Sequence, residues 1–450
     1  MMEKVIIDTI QKYNLFNTDA TLVVAVSGGA DSMALLHVLS KLRYNVVVAH
    51  VNHHKREDAH LDAQLVKEAA ESLRAPYYHY DLPKSPEPVN FQSYARKLRY
   101  EFFREVAKSN NTPYILSAHH GDDHLETLVH RFMHYQSASG LQGILPRLDY
   151  EGFQLVRPML NVSKSQIYEY CHKEQIPFRE DSSNDSDAYS RNRIRKRALP
   201  FLYEESPQLV AHARNLSDGI AEDEAYFAKE VDRLWEQITV QEGFVALSRE
   251  WVADLPSSLS KRLLKRIWRH LGVQQFSTNH LEEALNRIRH GLPNEVYTLP
   301  GAFQVVAYDQ LHFLTKLPKV ESYSAELTLN SKITLPNRHE LVINYKKERG
   351  NRRKSCINEV HLCYNEIELP LRVRTRKNGD RLALSSGGTK KVKEIMIEAK
   401  IPKHLRDSWP VITDANDRII WLPLLKKADV CQSSWESDMI TLEYRHHGGS

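Results

Sequence analysis

Two polar strings in this chain carry the residue types that phosphate chemistry needs. In Ser27-Gly28-Gly29-Ala30-Asp31-Ser32, two glycines sit between hydroxyl and carboxylate side chains. Glycines let backbone amides approach an anion closely, and a helix beginning here adds unpaired N–H groups and a positive dipole end. No Gly-Lys-Ser/Thr follows, so this is not a Walker A loop. A plain strand-to-helix turn with a serine cap is the bland alternative. The second string, His119-His120-Gly121-Asp122-Asp123-His124-Leu125-Glu126-Thr127, packs imidazoles and carboxylates together. His120 and His124 have the i, i+4 spacing of a zinc pair, but Gly121 stands where the metalloprotease pattern needs Glu. Nucleotidyl transfer instead asks for Mg²⁺ on carboxylates and acid/base groups beside a leaving pyrophosphate. Asp31 and Asp123 are the expected magnesium ligands, with His120 and Glu126 as candidate catalytic groups. For Asp122, helix capping is an equal reading.

Basic residues form four runs: Arg191-Asn192-Arg193-Ile194-Arg195-Lys196-Arg197, Arg352-Arg353-Lys354, Arg372-Val373-Arg374-Thr375-Arg376-Lys377 and Lys390-Lys391-Val392-Lys393. The net charge is only +4, from 61 basic and 57 acidic residues, so the distribution matters more than the total. One such run is ordinarily a solvated face, whereas four in a near-neutral chain favour a polyanionic partner.

The elements that position these residues follow from the apolar pattern. Strand-like runs at 22–26, 46–51, 77–82 and 114–118 alternate with helical runs that include 91–108 and 125–134. That alternation predicts an α/β, doubly wound parallel sheet with ligands outside the carboxyl ends of its strands. Both polar strings lie at such ends. Amphipathic helices at 219–239, 259–271 and 279–289 and a β segment at 295–314 then predict a mainly helical domain. Residues 316–365 read as a linker or edge, and 366–450, with a short helix at 391–399, as a small mixed α/β domain. The expected divisions are therefore 1–205, 206–315, 316–365 and 366–450, in keeping with a length prior of about three domains. No run approaches the ~20 apolar residues of a membrane span. The four cysteines, Cys171, Cys356, Cys363 and Cys431, lack CxxC spacing, which fits a reducing cytoplasm.

The first string resembles the pyrophosphatase loop of the N-type ATP pyrophosphatases. The second is similar to the AHHxDDQxET segment of tRNA(Ile)-lysidine synthetases, with His124 in place of Gln. Further matches run along the chain: His50-Val51-Asn52-His53, with His54-Lys55-Arg56 in place of Gly-Leu-Arg; Asn90-Phe91 through Phe103, carrying Arg96 and Arg99; Gly140-Leu141-Gln142-Gly143-Ile144; and Arg157-Pro158-Met159-Leu160. Asp181-Ser182-Ser183-Asn184, Tyr189-Ser190-Arg191-Asn192-Arg193-Ile194-Arg195, and Gly379-Asp380-Arg381 with residues 401–411 continue the likeness. Tyr135 to Ser139 and Trp421-Leu422-Pro423-Leu424 depart from the family pattern.

The resemblance implies an enzyme that adenylates O2 of the wobble cytidine in the CAU-anticodon isoleucine tRNA. The ε-amino group of L-lysine then displaces AMP at carbon 2, and decoding changes from AUG to AUA. It implies ATP held by Ser27, Gly28, Gly29, Ala30, Asp31 and Ser32, with His50 near the nucleotide. Asp31, Arg96, His120, Asp123 and Glu126 are implied as catalytic, with Asp123 and Glu126 attracting the lysine ammonium. Arg191, Asn192, Arg193, Arg195, Arg372, Arg374, Arg376, Lys390 and Lys391 are the expected tRNA contacts. A homodimer is left open. The rivals are a tRNA thiolase, which needs reactive cysteines near the ATP site, and a non-catalytic RNA-binding protein, which would not keep both Asp31 and Ser32.

Overall fold

The computed structural model describes residues 2–52, 58–83, 91–134, 138–180, 190–317, 322–337, 339–347, 357–385, 387–428 and 438–446. His53 to Arg56, Asn90, Tyr135 to Ser137, Asp181 to Asn184, Tyr189 and Arg352 to Lys354 therefore lie outside the described residues. The chain divides into two compact units, Met1–Tyr226 and Phe227–Ser450.

In the first unit, branched apolar residues form β1 (Thr21–Ala25), β2 (Asn45–Asn52), β3 (Tyr77–Asp81) and β4 (Tyr114–Leu116). Helix α1 (Met2–Lys12) precedes β1, and α2 (Ala30–Lys41), α3 (Ala59–Ser72) and α4 (Phe91–Ser109) connect the successive strands. After β4 come α5 (Gly121–Met133), β5 (Arg147–Tyr150), β6 (Phe153–Val156) and α6 (Lys164–Lys173). Helix α7 (Ser190–Arg193) then runs through a π-helical segment, Ile194–Ala198, into α8 (Leu199–Glu205), and α9 (Leu209–Trp235) follows. The sheet order is β3-β2-β1-β4-β6-β5, parallel except for β5.

Alternate side chains of β1 feed different cores, as a sheet covered on both faces requires. Leu22 and Val24 join α1, α2 and α6, whereas Val23 joins Tyr100, Phe103 and Val106 of α4. Strand order reverses between β1 and β4, so the two polar strings leave adjacent strands at the crevice of the sheet. The predicted strands are thus present within one or two residues of their expected ends.

In the second unit, helices Arg249–Asp254, Ser257–His270 and Thr278–His290 pack on a five-stranded antiparallel sheet with Trp268 and Phe313 fully buried. Its hairpin turns at Pro300-Gly301, where Gly301 takes φ +87°. Within the stretch 316–365, the described residues include strands of two sheets. Ser324–Leu327 edges a seven-stranded sheet against Leu371–Thr375. Ser331–Thr334, His339–Lys346 and Glu359–Cys363 join Met439–His446 in a four-stranded sheet. These strands are short and carry many exposed or half-buried positions, in keeping with the reading of short alternating strands at an edge. No helix among the described residues is long and apolar enough to cross a membrane.

Candidate active site

The first polar string folds as a loop between β1 and α2. Gly28 adopts φ +90°, and a Cβ there would lie 3.4 Å from Asp62 Cβ, so backbone strain and a close neighbour both favour glycine. Ser32 Oγ accepts the Ser27 N–H at 3.0 Å and donates to Gly29 O at 3.1 Å, which closes the loop on itself. Asp31, in the first turn of α2, is partly exposed and meets the Lys164 ammonium at 2.6 Å.

The second string begins at the end of β4. His120 is buried, with Nε2 3.5 Å from Asp123 Oδ2 and 3.8 Å from Asp31 Oδ2, and Nδ1 3.6 Å from Asp122 Oδ2. Burial works to lower its pKa, but Asp122, Asp123 and Asp31 outweigh that and raise it. His120 is therefore the imidazole on which the two expected magnesium ligands converge. Asp122 is committed elsewhere. It accepts Lys164 N–H at 2.7 Å and the Tyr203 hydroxyl at 3.0 Å, tying α5 to α6 and α8. Helix docking thus accounts for Asp122, while the carboxylate that caps α5 is Asp123, whose Oδ2 accepts the His120 N–H at 3.1 Å.

Two cavities open on this rim. One, of about 330 Å³, is lined by Ser27, Asp31 and Ser32 together with apolar Val26, Val51 and Phe103. It thus combines the hydroxyls of the loop with apolar surface of the kind a base can pack on. The other, of about 550 Å³, is lined by Arg96, Glu126, Arg131, Arg157, Arg191 and Arg195. Tyr100, His119 and Asp123 line both. Arg96 and Arg99 flank Tyr100, their guanidiniums 4.9 and 5.5 Å from its ring centroid, with Arg99 on the first cavity and Arg96 on the second. His119 is pushed down to about 4 by burial, with Arg157, His120 and Arg99 adding to the effect against Asp123, so its imidazole is neutral at pH 7.

In the larger cavity, Glu126 is buried and its carboxyl is raised by that burial, against the opposing pull of Arg195. Arg195 donates to Glu126 Oε2 at 2.9 Å and Asp123 Oδ1 at 3.1 Å, and Arg191 Nε lies 3.6 Å from Glu126 Oε1. Arg193 is exposed and Asn192 half-buried, and neither lines this cavity. The 140–144 loop forms one wall and is gripped from several helices. His124 Nδ1 accepts the Ile144 N–H at 3.0 Å, and its Nε2 meets Ser217 Oγ at 3.0 Å. A Cβ on Gly143 would lie 2.3 Å from His124 Cε1. His124, the departure from Gln, thus does what an amide does: it offers one acceptor and one donor. Burial pushes it down to about 4, which keeps it neutral.

Some expected residues are elsewhere. His50 is buried on β2, with Nδ1 2.8 Å from Val26 O, stacked on His79, and lines neither cavity. It supports the strand before the loop. In the second unit Arg374 is buried and bonded to Asp380 at 2.9 and 3.0 Å and to Asp417 at 2.8 Å. Arg376 pairs with Asp407, and Lys390 reaches both carboxylate oxygens of Glu398 at 2.5 Å. Arg374 is therefore not a surface contact for a polyanion; its charge is consumed inside the fold. Arg372, half-buried and 3.0 Å from Glu326, and exposed Lys391 remain accessible. Residues absent from the expected site but lining its cavities are His119, Arg131 and Arg157, and Lys164 reaches it through Asp31. Arg157 is buried and stood in a recognised motif, so its type and context carried a signal. Lys164 is partnered with a residue distant in sequence and carried none.

A thiolase site finds no support near the loop. Cys171 is buried, its thiol is raised to about 11 by burial, and it donates to Ala30 O at 3.6 Å.

Residues 2–202 match the family model of a PP-loop domain, and residues 371–444 that of the TilS substrate C-terminal domain. The tRNA(Ile)-lysidine synthase of Bacillus subtilis (strain 168) is 34% identical over 468 residues, covering 98% of this chain and 97% of that protein. The tRNA(Ile)-lysidine synthase of Bacillus cereus (strain ATCC 10987 / NRS 248) is 33% identical over 441 residues, covering 94% and 92%. A crystal structure of a TILS C-terminal domain is 38% identical, covers 29% of this chain and 100% of that one, and superposes with a TM-score of 0.27.

Proposed function

This chain belongs to the tRNA(Ile)-lysidine synthase family, and from that premise we propose how its two cavities divide ATP-dependent lysidine formation on tRNA. The observation that carries the proposal is the wall common to both cavities, Tyr100, His119 and Asp123. ATP occupies the smaller cavity, its phosphates on the 27–32 loop and its base toward Val26, Val51 and Phe103. The wobble cytidine of the CAU-anticodon tRNA(Ile) and L-lysine meet in the larger one.

In the first step the cytidine O2 attacks the α-phosphorus and pyrophosphate leaves. In the second, the lysine ε-nitrogen attacks carbon 2, the bond from carbon 2 to O2 breaks, and AMP departs with that oxygen. The nitrogen must shed a proton to attack. Glu126, with its raised carboxyl, is placed to take it. Asp123 and Glu126 supply the negative edge that attracts the ammonium, and Arg96 and Arg157 face the charge that collects on the departing phosphate. Arg191 and Arg195 now cover that edge. Phosphates of a bound tRNA offer both arginines another partner, so RNA binding and uncovering of the carboxylates go together.

Asp31 and Asp123 fit a Mg²⁺ ion, which takes one or two carboxylates and completes its shell with phosphate oxygens and water. Among the described residues no group of three or more His, Cys, Asp or Glu is arranged to hold a metal by itself. When bound, the ion neutralises polyphosphate charge.

The test is incubation with ATP, labelled lysine and CAU-anticodon tRNA(Ile), followed by nucleoside analysis. Lysidine with AMP and pyrophosphate is expected. ATP cleavage without lysine transfer would overturn the assignment of the larger cavity.

A further inference from the structure

Lys164 belongs to none of the chemical motifs, yet its ammonium lies 2.6 Å from Asp31 Oδ1. It is held there from three directions. Its own N–H donates to Asp122 Oδ2 at 2.7 Å, its Nζ lies 4.8 Å from the Tyr168 ring centroid, and the Cys171 thiol fastens α6 to the Ala30 carbonyl of α2. Ser163 caps α6 by accepting the Gln166 N–H at 3.3 Å. The lysine side chain is 34% exposed, and the carboxylate it meets, Asp31, lines the smaller cavity.

A half-exposed ion pair contributes only about 0–1 kcal/mol to stability, a weak reason for so much scaffolding. A fixed ammonium facing a leaving polyanion contributes far more to a rate, because charge develops there in the transition state. A second cation beside the loop, Arg179, pairs with Asp58 and Asp62 while its N–H donates to Gly28 O at 3.0 Å.

We propose that Lys164 is a catalytic residue of the adenylation step that grips the terminal phosphates of ATP and stabilises the departing pyrophosphate. As O2 bonds to the α-phosphorus, the bond to the bridging oxygen breaks and its electron pair stays on pyrophosphate. Lys164 donates hydrogen bonds to that anion, keeps its proton, and exchanges Asp31 for phosphate oxygens. This rests on the assignment of the 27–32 loop as the ATP site.

The experiment titrates inorganic pyrophosphate into the full chain by calorimetry, in EDTA and again with magnesium, and measures AMP formation on tRNA. Lys164→Ala is expected to weaken pyrophosphate binding at least tenfold in both buffers and to slow AMP formation by roughly 10²–10³. The KM for lysine and the affinity for tRNA stay unchanged, and Lys164→Arg recovers most of both losses. Lys164→Gln gives the same comparison if alanine prevents folding. Wild-type pyrophosphate affinity in a folded Lys164→Ala protein, with only a lowered melting temperature, would overturn the inference and leave Lys164 as a support for Asp31. If the wild type binds neither pyrophosphate nor ATP, the loop assignment fails and this inference fails with it.

Discussion

The arginine comb at Arg191, Arg193 and Arg195 and the comb at Arg372, Arg374 and Arg376 look alike in sequence, and the fold uses them in opposite ways. The first rides a helix with a π-helical turn and is exposed, with two of its members reaching buried Glu126 at the rim of a cavity. The second lies on and just beyond a central strand. Its middle member is 4% exposed and saturated by two aspartates, and its last is paired with Asp407. Positive charge along a chain shows where cations are, not whether they are free. What decides is whether carboxylates such as Asp380, Asp407 and Asp417 fold back onto them. One comb is poised to trade partners with a polyanion, and the other has already neutralised most of its charge.

The largest effect that separates the two combs is on stability. Arg374→Ala leaves Asp380 and Asp417 without their shared cation, and breaking such a buried pair costs about 3–5 kcal/mol. A chemical denaturation curve should show that loss in the second unit. Arg195→Ala should leave the melt nearly unchanged but reduce lysidine formation by about 10²-fold. If Arg374→Ala proves neutral to stability and harms only tRNA binding, the comparison is inverted.

Next in size is the support under the first comb's cavity. His124→Leu should cost about 2–4 kcal/mol through the loss of two buried hydrogen bonds, whereas His124→Gln should keep both. The sign with pH follows from its lowered pKa. The folded state resists protonation down to about 4, while the unfolded state takes up a proton near the ordinary 6.5. His124's contribution is therefore complete above pH 6.5 and declines as pH falls from 6.5 to about 4. Thermal melts across that range should slope less in His124→Gln than in wild type, and identical slopes would refute the neutral-imidazole assignment.

Asp218 gives a smaller effect at lower pH. Burial raises its carboxyl, but Lys12, Tyr13 and Arg214 more than compensate and hold it below 3.8. Its stabilisation is present above pH 3.8 and is lost as pH falls through that lowered value. Asp218→Asn should cost about 1.5–3 kcal/mol near neutrality, and the gap to wild type should narrow in melts below pH 4. The smallest effect is at the accessible end of the second comb. Arg372→Glu and Lys391→Glu should change stability by at most about 0.5 kcal/mol. If they touch tRNA, each should reduce the salt dependence of binding by roughly one unit. An unchanged slope would remove this face from the RNA contact.

The parts of the molecule that were legible in sequence are those where chemistry leaves few options. Gly28 must adopt a positive φ against Asp62, and the loop around it reads plainly. Asp123 and Glu126 sit three residues apart on α5 and share a face by helical spacing. What was illegible depended on partners far along the chain. Lys164 meets Asp31, Arg374 meets Asp417, and His124 meets Ser217, and no local period encodes any of these. His50 shows another limit: its strand was evident, but whether its imidazole faced ligand or backbone depended on the Val26 carbonyl. The short strands from 324 to 363 registered as strands but not as sheet members, because three of the four pair with strands far along the chain.

The wall formed by Tyr100, His119 and Asp123 bears on the stoichiometry of the reaction. On the proposed division, ATP lies across these three side chains from a cytidine that already shares its cavity with the lysine, so the adenylated base has no journey to make before meeting the amine. Water is the competing nucleophile. Wasted ATP then becomes a measure of that partition: AMP released per lysidine formed should stay close to one, and should rise when His119 is cut back to alanine and the two chambers merge.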